Sequence, residues 1–121
     1  MLDKRITVSV YAADEVGRAR LMRQLRTLDD IRVVRGGAAV DILLLGRHDG
    51  EALSRHARRS WAPLVVVAQE LGETELMAIA EYGVRSVLLG ERVTPRRLSR
   101  TVHAAAGCCP PAPLRLPRAL V

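Results

Sequence analysis

The stretch 41–68, DILLLGRHDGEALSRHARRSWAPLVVVA, carries the pattern that decides the fold. It begins with a run of aliphatic residues at Asp41–Leu45 and ends with a second run at Leu64–Ala68. A strand that is buried on both faces loses the alternation of polar and apolar residues and becomes such a run. Between them, Glu51–Arg59 is a short helix candidate with Leu53 on its inner side. The stretch therefore predicts a strand–helix–strand unit of a parallel sheet.

Further strands and helices alternate on either side of this unit. Ile6–Tyr11, with apolar residues at alternate positions, and Val84–Leu89 are additional strand candidates. Apolar residues at helical spacing predict helices over Glu15–Leu28, over Thr74–Tyr82 and from Thr94-Pro95 to Ala106. This order predicts an α/β domain whose mostly parallel sheet is covered by helices on both faces, with right-handed crossovers.

The ends of the predicted helices carry the residues that such ends require. Asp14 is the expected N-cap of the first helix, and Thr94 precedes a proline at the first position of the last helix. Gly83 is the expected end of the helix over Thr74–Tyr82, and Gly107 is the expected end of the last helix. The inner faces are predicted to be Leu21, Leu25 and Leu28, then Leu76, Ile79 and Ala80, then Leu98, Val102 and Ala105.

The segment Ile31–Arg35 also has the composition of a strand, yet only Gly36–Val40 separates it from Asp41–Leu45. A parallel crossover needs about a dozen residues. Either the segment is vestigial, or it lies in an unusual position, or Gly36-Gly37 forms a hairpin that makes the pair antiparallel. If it is vestigial, Ile6–Tyr11 becomes a sheet edge, which we expect residues 31–35 or a second subunit to cover.

Composition limits the classes of function. The 121 residues make one ordinary domain, and the 2% aromatic content, with no Phe, leaves a core of aliphatic side chains. The net charge of +6 favours an anionic partner, nucleic acid above all. The arginines are scattered, however, and Tyr11, Trp61 and Tyr82 are the only aromatic residues, which is few for stacking bases. Direct nucleic-acid binding is therefore the weaker expectation.

The last residues differ from the rest of the chain. Pro110, Pro111, Pro113 and Pro117 predict that 108–121 is a linker or tail after a domain spanning 1–107. The adjacent Cys108 and Cys109 suit neither a disulfide nor a metal site, which indicates free thiols in a reducing cytoplasm. No signal peptide is recognisable, and the apolar runs are too short to span a bilayer, so a soluble cytoplasmic protein is expected.

In this order of elements the chain resembles the receiver domain of response regulators, most closely those joined to a LuxR/NarL-type helix-turn-helix. The resemblance covers residues 5–121 and is carried by Glu73–Gly90, by Thr94–Leu98 and by the tail through Pro117-Arg118. It implies a flavodoxin-like (CheY-like) fold, with a parallel sheet of four to five strands. The family's second helix is missing, which accounts for the short link at Gly36–Val40.

The resemblance also implies where the family's phosphorylation site falls. A receiver uses two acidic residues to hold a divalent cation, a phosphorylated aspartate, a hydroxyl and a lysine. The acidic pair falls on Ala12 and Ala13, the aspartate on Gly46, the hydroxyl on Ala68, the lysine on Gly90 and the family's switch aromatic on Val87. Alanine offers no oxygen to a cation, and glycine cannot form an acyl phosphate. A pseudo-receiver is therefore expected, with no metal, no cofactor and no enzymatic activity.

Other polar residues near these positions admit two interpretations. Asp14, Glu15 and Asp49 could rebuild a shifted acidic site, although Asp14 and Asp49 are better explained as the starts of helices. His48 and His56 lack the spacing of a zinc site and are expected on the surface. His103 is expected on the solvated side of the last helix.

The predicted function is that of a dimerising input domain of a bacterial transcription regulator, which contacts DNA only through a helix-turn-helix that this chain lacks. The candidate dimer or partner face consists of Tyr82, Arg85, Arg96, Arg97 and Arg100. That face could equally be solvated, and the first and last helices are an alternative dimer surface. A second hypothesis is a metabolite sensor that uses the emptied pocket, and a third is a basic nucleic-acid-binding protein.

Overall fold

The computed structural model describes residues 5–46, 50–84 and 86–107. Within these ranges the chain forms strands β1 (Ile6–Ala12), β2 (Ile31–Val33), β3 (Val40–Leu45), β4 (Leu64–Ala68) and β5 (Ser86–Leu89). The helices are α1 (Glu15–Arg26), α2 (Gly50–Arg59), α3 (Glu73–Tyr82) and α4 (Pro95–Gly107), with a 3₁₀ turn at Gly90–Arg92. The elements agree with the prediction to within about two residues at most ends.

All five strands form one parallel sheet in the order β2-β1-β3-β4-β5. Two apolar clusters lie on its opposite faces, one beneath α1 and α4 and the other beneath α2 and α3. Successive residues of β3 alternate between them, since Ile42 belongs to the first cluster and Leu43 to the second. The flavodoxin-like α/β architecture expected from the sequence is therefore confirmed.

The strand at Ile31–Val33 is real, and its register explains the short link that follows it. β2 pairs with Ile6–Val8, whereas β3 pairs with Val8–Ala12, so β2 ends and β3 begins on either side of Val8. A parallel connection normally needs a helix because the chain must return along the length of the strand it has just formed. Here β3 begins at the level where β2 ends, so the chain does not have to return. The link need only cross two strand spacings, about 10 Å. The antiparallel hairpin interpretation is wrong.

The link between β2 and β3 is held against the α2/α3 side of the sheet. The Val34 amide donates to the Val8 carbonyl over 2.8 Å, and Ser9 Oγ donates to the Val34 carbonyl over 3.0 Å. At the other end, the Ala39 amide donates to both the carbonyl and Oγ1 of Thr7. Because Val8 faces the α1/α4 cluster, Thr7 and Ser9 point to the opposite face, where the link lies over them.

The predicted helix ends are confirmed. Asp14 accepts hydrogen bonds from the amides of Val16 and Gly17, each over 3.2 Å. Thr94 Oγ1 accepts from the Arg97 amide, and Gly83 ends α3 in the left-handed region at φ 66°. The inner face predicted for the last helix is buried as expected, at Leu98, Val102 and Ala105.

Two predicted helix faces need correction. α1 ends at Arg26, so Leu28 lies beyond the helix, although it packs against the core from there. On α3 the buried residues are Glu75 and Ala78, whereas Leu76 is 52% exposed. Ala80 is also exposed, whereas Ile79 packs against the α2/α3 cluster as predicted. The buried face of α3 therefore runs through Glu75, whose carboxylate bonds back to the Gly72 amide, and Ala78. No helix in the described part of the chain is both long and apolar enough to cross a membrane.

Candidate functional site

The carboxyl ends of the central strands meet at one edge of the sheet, where ligands of such folds usually bind. Ala12 is the last residue of β1, Gly46 follows β3 and Ala68 is the buried last residue of β4. Gly90 follows β5 and opens the 3₁₀ turn, while Val87 lies within β5 and packs against the α2/α3 cluster. The positions that the resemblance singles out are therefore brought to this edge, with the exception of Val87.

Among the described residues, the five positions Ala12, Ala13, Gly46, Ala68 and Gly90 carry no side-chain oxygen or nitrogen. Ala12, Ala13 and Ala68 offer only methyl groups, which cannot coordinate a hard cation. At Gly90 the backbone has φ +38°, and a Cβ would lie 3.3 Å from the Gln69 carbonyl oxygen. Any residue with a side chain is strained at such a backbone conformation. A lysine at this position would therefore be disfavoured by the backbone itself.

Two of the three acidic residues that could rebuild a shifted site, Asp14 and Glu15, lie at the start of α1. Both carboxylate oxygens of Asp14 accept amide hydrogen bonds at the start of α1, and Glu15 is exposed in its first turn. Asp49 and His48 lie outside the described residues. Within residues 5–46, 50–84 and 86–107, no three His, Cys, Asp or Glu side chains are grouped so that they could hold a metal ion.

Glu75 is a buried acidic residue that the sequence reasoning missed. Its Oε1 accepts from the Gly72 amide over 2.8 Å, whereas Oε2 is buried and has no hydrogen-bond partner among the described residues. The available signal was the position of Glu75, three residues after the N-cap of α3, as in a capping box. The contact stabilises the start of the helix, and nothing around it forms a binding site.

Asp41 is the centre of a second buried polar group. Ser60 Oγ and His56 Nε2 both donate to its Oδ2, over 2.5 and 3.0 Å, and the His56 ring packs against Tyr11 with centroids 4.6 Å apart. The prediction that His56 is a surface residue is wrong, since its side chain is only 12% exposed. Serine and histidine bind the same oxygen, so no Ser–His–Asp relay exists here. The group joins α2 to β1 and β3.

His103 is half-exposed, but it is not simply solvated. Its Nε2 lies 2.6 Å from Asp30 Oδ2, which also accepts from Ser99 Oγ over 2.6 Å. The hydrogen bonds from Ser99 and His103 lower the pKa of Asp30 below its usual value. They connect the start of β2 to α4, and the sequence offered no signal for them because 73 residues separate Asp30 from His103.

The candidate dimer face lies around the β5 edge of the sheet. Arg96, Arg97 and Arg100 are exposed on α4 and Tyr82 is half-buried at the end of α3, while Arg85 lies outside the described residues. Large apolar side chains are also exposed on α3 and at the end of β5. These side chains are Leu76, Met77, which is 68% exposed, and Leu89, which is 40% exposed.

A groove of about 1270 Å³ lies at the opposite edge, between α1 and β2. Residues of α1, of the end of β1, of β2 and of the segments on either side of β2 line it, and six of the lining residues are arginines. None of Ala12, Ala13, Gly46, Ala68 and Gly90 contributes to this groove. It is therefore separate from the carboxyl-end positions.

No protein-family model and no curated protein matches the chain. Solved structures do match it. A CheY-like response regulator from Mesorhizobium loti has 20% identity and a TM-score of 0.61, covering 83% of this chain and 98% of its own. A LuxR-family DNA-binding response regulator from Staphylococcus aureus has 13% identity and a TM-score of 0.66, with coverage of 84% and 98%.

A third similar structure is the response regulator RcsB of Salmonella typhimurium, at 18% identity and a TM-score of 0.62. It covers 95% of this chain and 67% of its own. At these identities the likeness establishes the backbone architecture and no more. The chain has the fold of the receiver domains of response regulators.

Proposed function

We propose that this chain is a pseudo-receiver: a regulatory input domain that works without phosphorylation in a cytoplasmic bacterial transcription regulator of the LuxR/NarL type. The observation that carries the proposal is a receiver fold whose carboxyl edge has only alanine and glycine at the family's functional positions. In this proposal residues 108–121 are the linker to a helix-turn-helix domain, and that domain alone contacts DNA.

Phosphorylation independence is supported by the local geometry. A restored site would need oxygen ligands where alanines lie and a lysine at the strained Gly90 position. Asp14, the nearest described acid, already caps α1 with both oxygens.

The test is an amide NMR spectrum of the ¹⁵N-labelled chain with and without Mg²⁺ and beryllofluoride, which mimics a phosphoryl group. We expect no peak to shift. Concerted shifts of Asp14, Gly46 and Asp49 would show that displaced carboxylates have rebuilt the site, and the proposal would then be wrong.

Dimerisation is proposed through the β5 edge, because Met77 and Leu89 expose apolar surface there beside the arginines of α4. Sedimentation equilibrium from 1 to 500 µM measures it. We expect a concentration-dependent dimer that Met77→Asp with Leu89→Asp abolishes. Val16→Asp, at an equally exposed apolar residue of α1, is the control and should dimerise normally. A monomer at every concentration, or loss of the dimer only with Val16→Asp, would overturn this assignment.

The metabolite-sensor hypothesis has less support. The groove described above lies at the α1/β2 edge, and none of the alanines and glycines of the carboxyl edge lines it, so the groove does not support this hypothesis. The Arg-lined groove is instead the basis of a different inference.

A further inference from the structure

The C-terminal half of β1 has an edge that β2 does not cover. β2 covers β1 only as far as Val8, where the Val34 amide still bonds to the Val8 carbonyl. After that contact the chain turns across the α2/α3 face towards Ala39. In a parallel sheet, the backbone N–H and C=O groups of alternate residues point to the same neighbouring strand. Those of Val8 point to β2, so those of Val10 and Ala12 point to the same side, beyond the point where β2 ends. Such an edge is a template for a further strand.

The groove lies beside this open edge, and α1 forms its opposite wall. The α1 residues that line it recur at helical spacing and so form one continuous stripe. They are Glu15, Arg18, Ala19, Met22, Arg23, Leu25 and Arg26. Apolar side chains form the floor, among them Leu28 and Val33. The groove therefore has a helix on one side, a strand edge on the other and an apolar floor. These features suit one extended polypeptide segment.

The walls of the groove are strongly basic. Its lining contains six arginines and two carboxylates, those of Glu15 and Asp29. Arg18, Arg23 and Arg26 lie on the helix wall, while Arg32 and Arg35 lie on the strand side. Within the described residues, no carboxylate forms an ion pair with Arg18, Arg23, Arg26 or Arg35. The charge therefore complements an acidic ligand, and the two walls suit side chains that alternate in direction along a strand.

We propose that this groove binds an extended acidic peptide segment of a partner protein, which adds to the sheet as a strand beside Val10 and Ala12. Its backbone pairs with the open edge of β1, and its carboxylates pair with arginines on both walls. Addition of a strand to a sheet edge is a general mode of peptide recognition, in which the backbone contributes affinity and the side chains contribute specificity.

A peptide fits these features better than a nucleic acid does. Strand-edge amides and carbonyls match another peptide backbone, whereas a phosphate backbone offers acceptors only. Tyr11 is the one aromatic residue in the groove lining, so bases would find little to stack on. This inference does not rest on the proposed function, because it uses only the backbone of Ala12, needs no side chain at the carboxyl edge and involves no residue of β5.

The experiment uses the full chain and a fluorescein-labelled eight-residue peptide of alternating Glu and Val, read by anisotropy and by amide NMR. We expect saturable binding, with shifts concentrated at Val10, Ala12 and Arg35. The variant Arg23→Glu with Arg35→Glu should bind at least tenfold more weakly. Arg58→Glu with Arg59→Glu, the same charge change at the exposed end of α2, should stay within about twofold.

Two further probes separate strand addition from simple charge attraction. The same peptide with alternate backbone amides N-methylated keeps its carboxylates but cannot pair with a strand, and we expect it to bind at least fivefold more weakly. Equal binding of the methylated peptide would overturn the proposal, as would equal losses in the two charge-reversed variants. Tighter binding of a ten-residue oligo(dT) with the same shifts would also overturn it, in favour of a nucleic-acid site.

Discussion

At the residue scale, Asp41 shows how a polar residue at the start of an aliphatic strand holds a helix. Its carboxylate is buried and accepts hydrogen bonds from Ser60 and His56, so α2 is attached to β3 by charge-assisted bonds as well as by Leu53. The His56 ring in turn covers Tyr11 on β1. These contacts lie on the α2/α3 face of the sheet.

Replacement of Asp41 by alanine is expected to lower the free energy of unfolding by about 2–3 kcal/mol, because hydrogen bonds to a charged group are lost and buried donors are left unpaired. Urea denaturation measures the change. Asp29→Ala, at an exposed carboxylate, is the control and should change stability by less than about 0.5 kcal/mol. Equal effects in the two variants would contradict the role given to Asp41.

Glu75 allows a different substitution test, because only one of its carboxylate oxygens is paired. Glu75→Ala removes the capping contact and should cost about 1 kcal/mol. Glu75→Gln keeps an acceptor for the Gly72 amide and removes a buried charge, so we expect it to be at least as stable as the native chain at pH 7. Glu73→Gln, in the exposed first turn, is the matched control for loss of charge. A glutamine variant as unstable as the alanine variant would show that Oε2 has a partner.

At the scale of elements, the β2–β3 link of residues 34–39 joins two parallel strands through a short turn. It contains two glycines with open space around them, of which only Gly37 has a positive φ, at 64°. Gly37→Ala should therefore destabilise the fold by about 1 kcal/mol, while Gly36→Ala should be neutral or slightly stabilising. Thermal unfolding of the two variants compares the positions directly. Identical effects would mean that the link does not require the left-handed conformation.

The contact between the start of β2 and α4 depends on pH. Hydrogen bonds from Ser99 and His103 lower the pKa of Asp30 in the folded state. A carboxyl group with a lowered folded-state pKa contributes stability that is fully present above its unfolded value, about 3.8 here, and is lost as the pH falls through the folded value. Asp30→Asn should therefore be less stable than the native chain near neutral pH, with the difference shrinking below about pH 4.

Denaturation curves between pH 2 and pH 7 check this dependence. The adjacent exposed Asp29→Asn is the control, since it removes a carboxylate that none of these hydrogen bonds involves. A difference between native and Asp30→Asn that stays constant down to pH 2 would show that the carboxylate does not stabilise this contact.

At the scale of the whole molecule, α4 is the last element that the structure describes, and it ends at Gly107. Leu98, Val102 and Ala105 of this helix are buried in the core, and Ala106 packs against it. The sequence predicts that the domain ends with this helix. A chain that ends at Gly107 should therefore melt within about 2 °C of the 121-residue chain. A loss of more than about 1 kcal/mol would show that residues 108–121 stabilise the domain, and the predicted boundary would then be wrong.

Much of the architecture could be predicted from local patterns. The aliphatic runs of β3 and β4, the caps at Asp14 and Thr94 and the stop at Gly83 are consequences of neighbouring residues, and all of them appear in the structure. The positions of the emptied site followed from a resemblance, since alanine and glycine carry no chemical signal of their own. The number and spacing of these alanines and glycines do not by themselves predict a functional site.

The sequence by itself determined the order of elements, their ends and the α/β class, because hydrophobic periodicity and capping act over a few residues. Only the tertiary structure decided where β2 lies, because strand register depends on contacts between distant segments. The same is true of the pairing of Asp41 with His56 and of the exposure of Leu76. The basic groove belongs to this second class as well: its arginines are scattered along the chain, and only the packing of α1 beside a half-covered strand brings them to one surface.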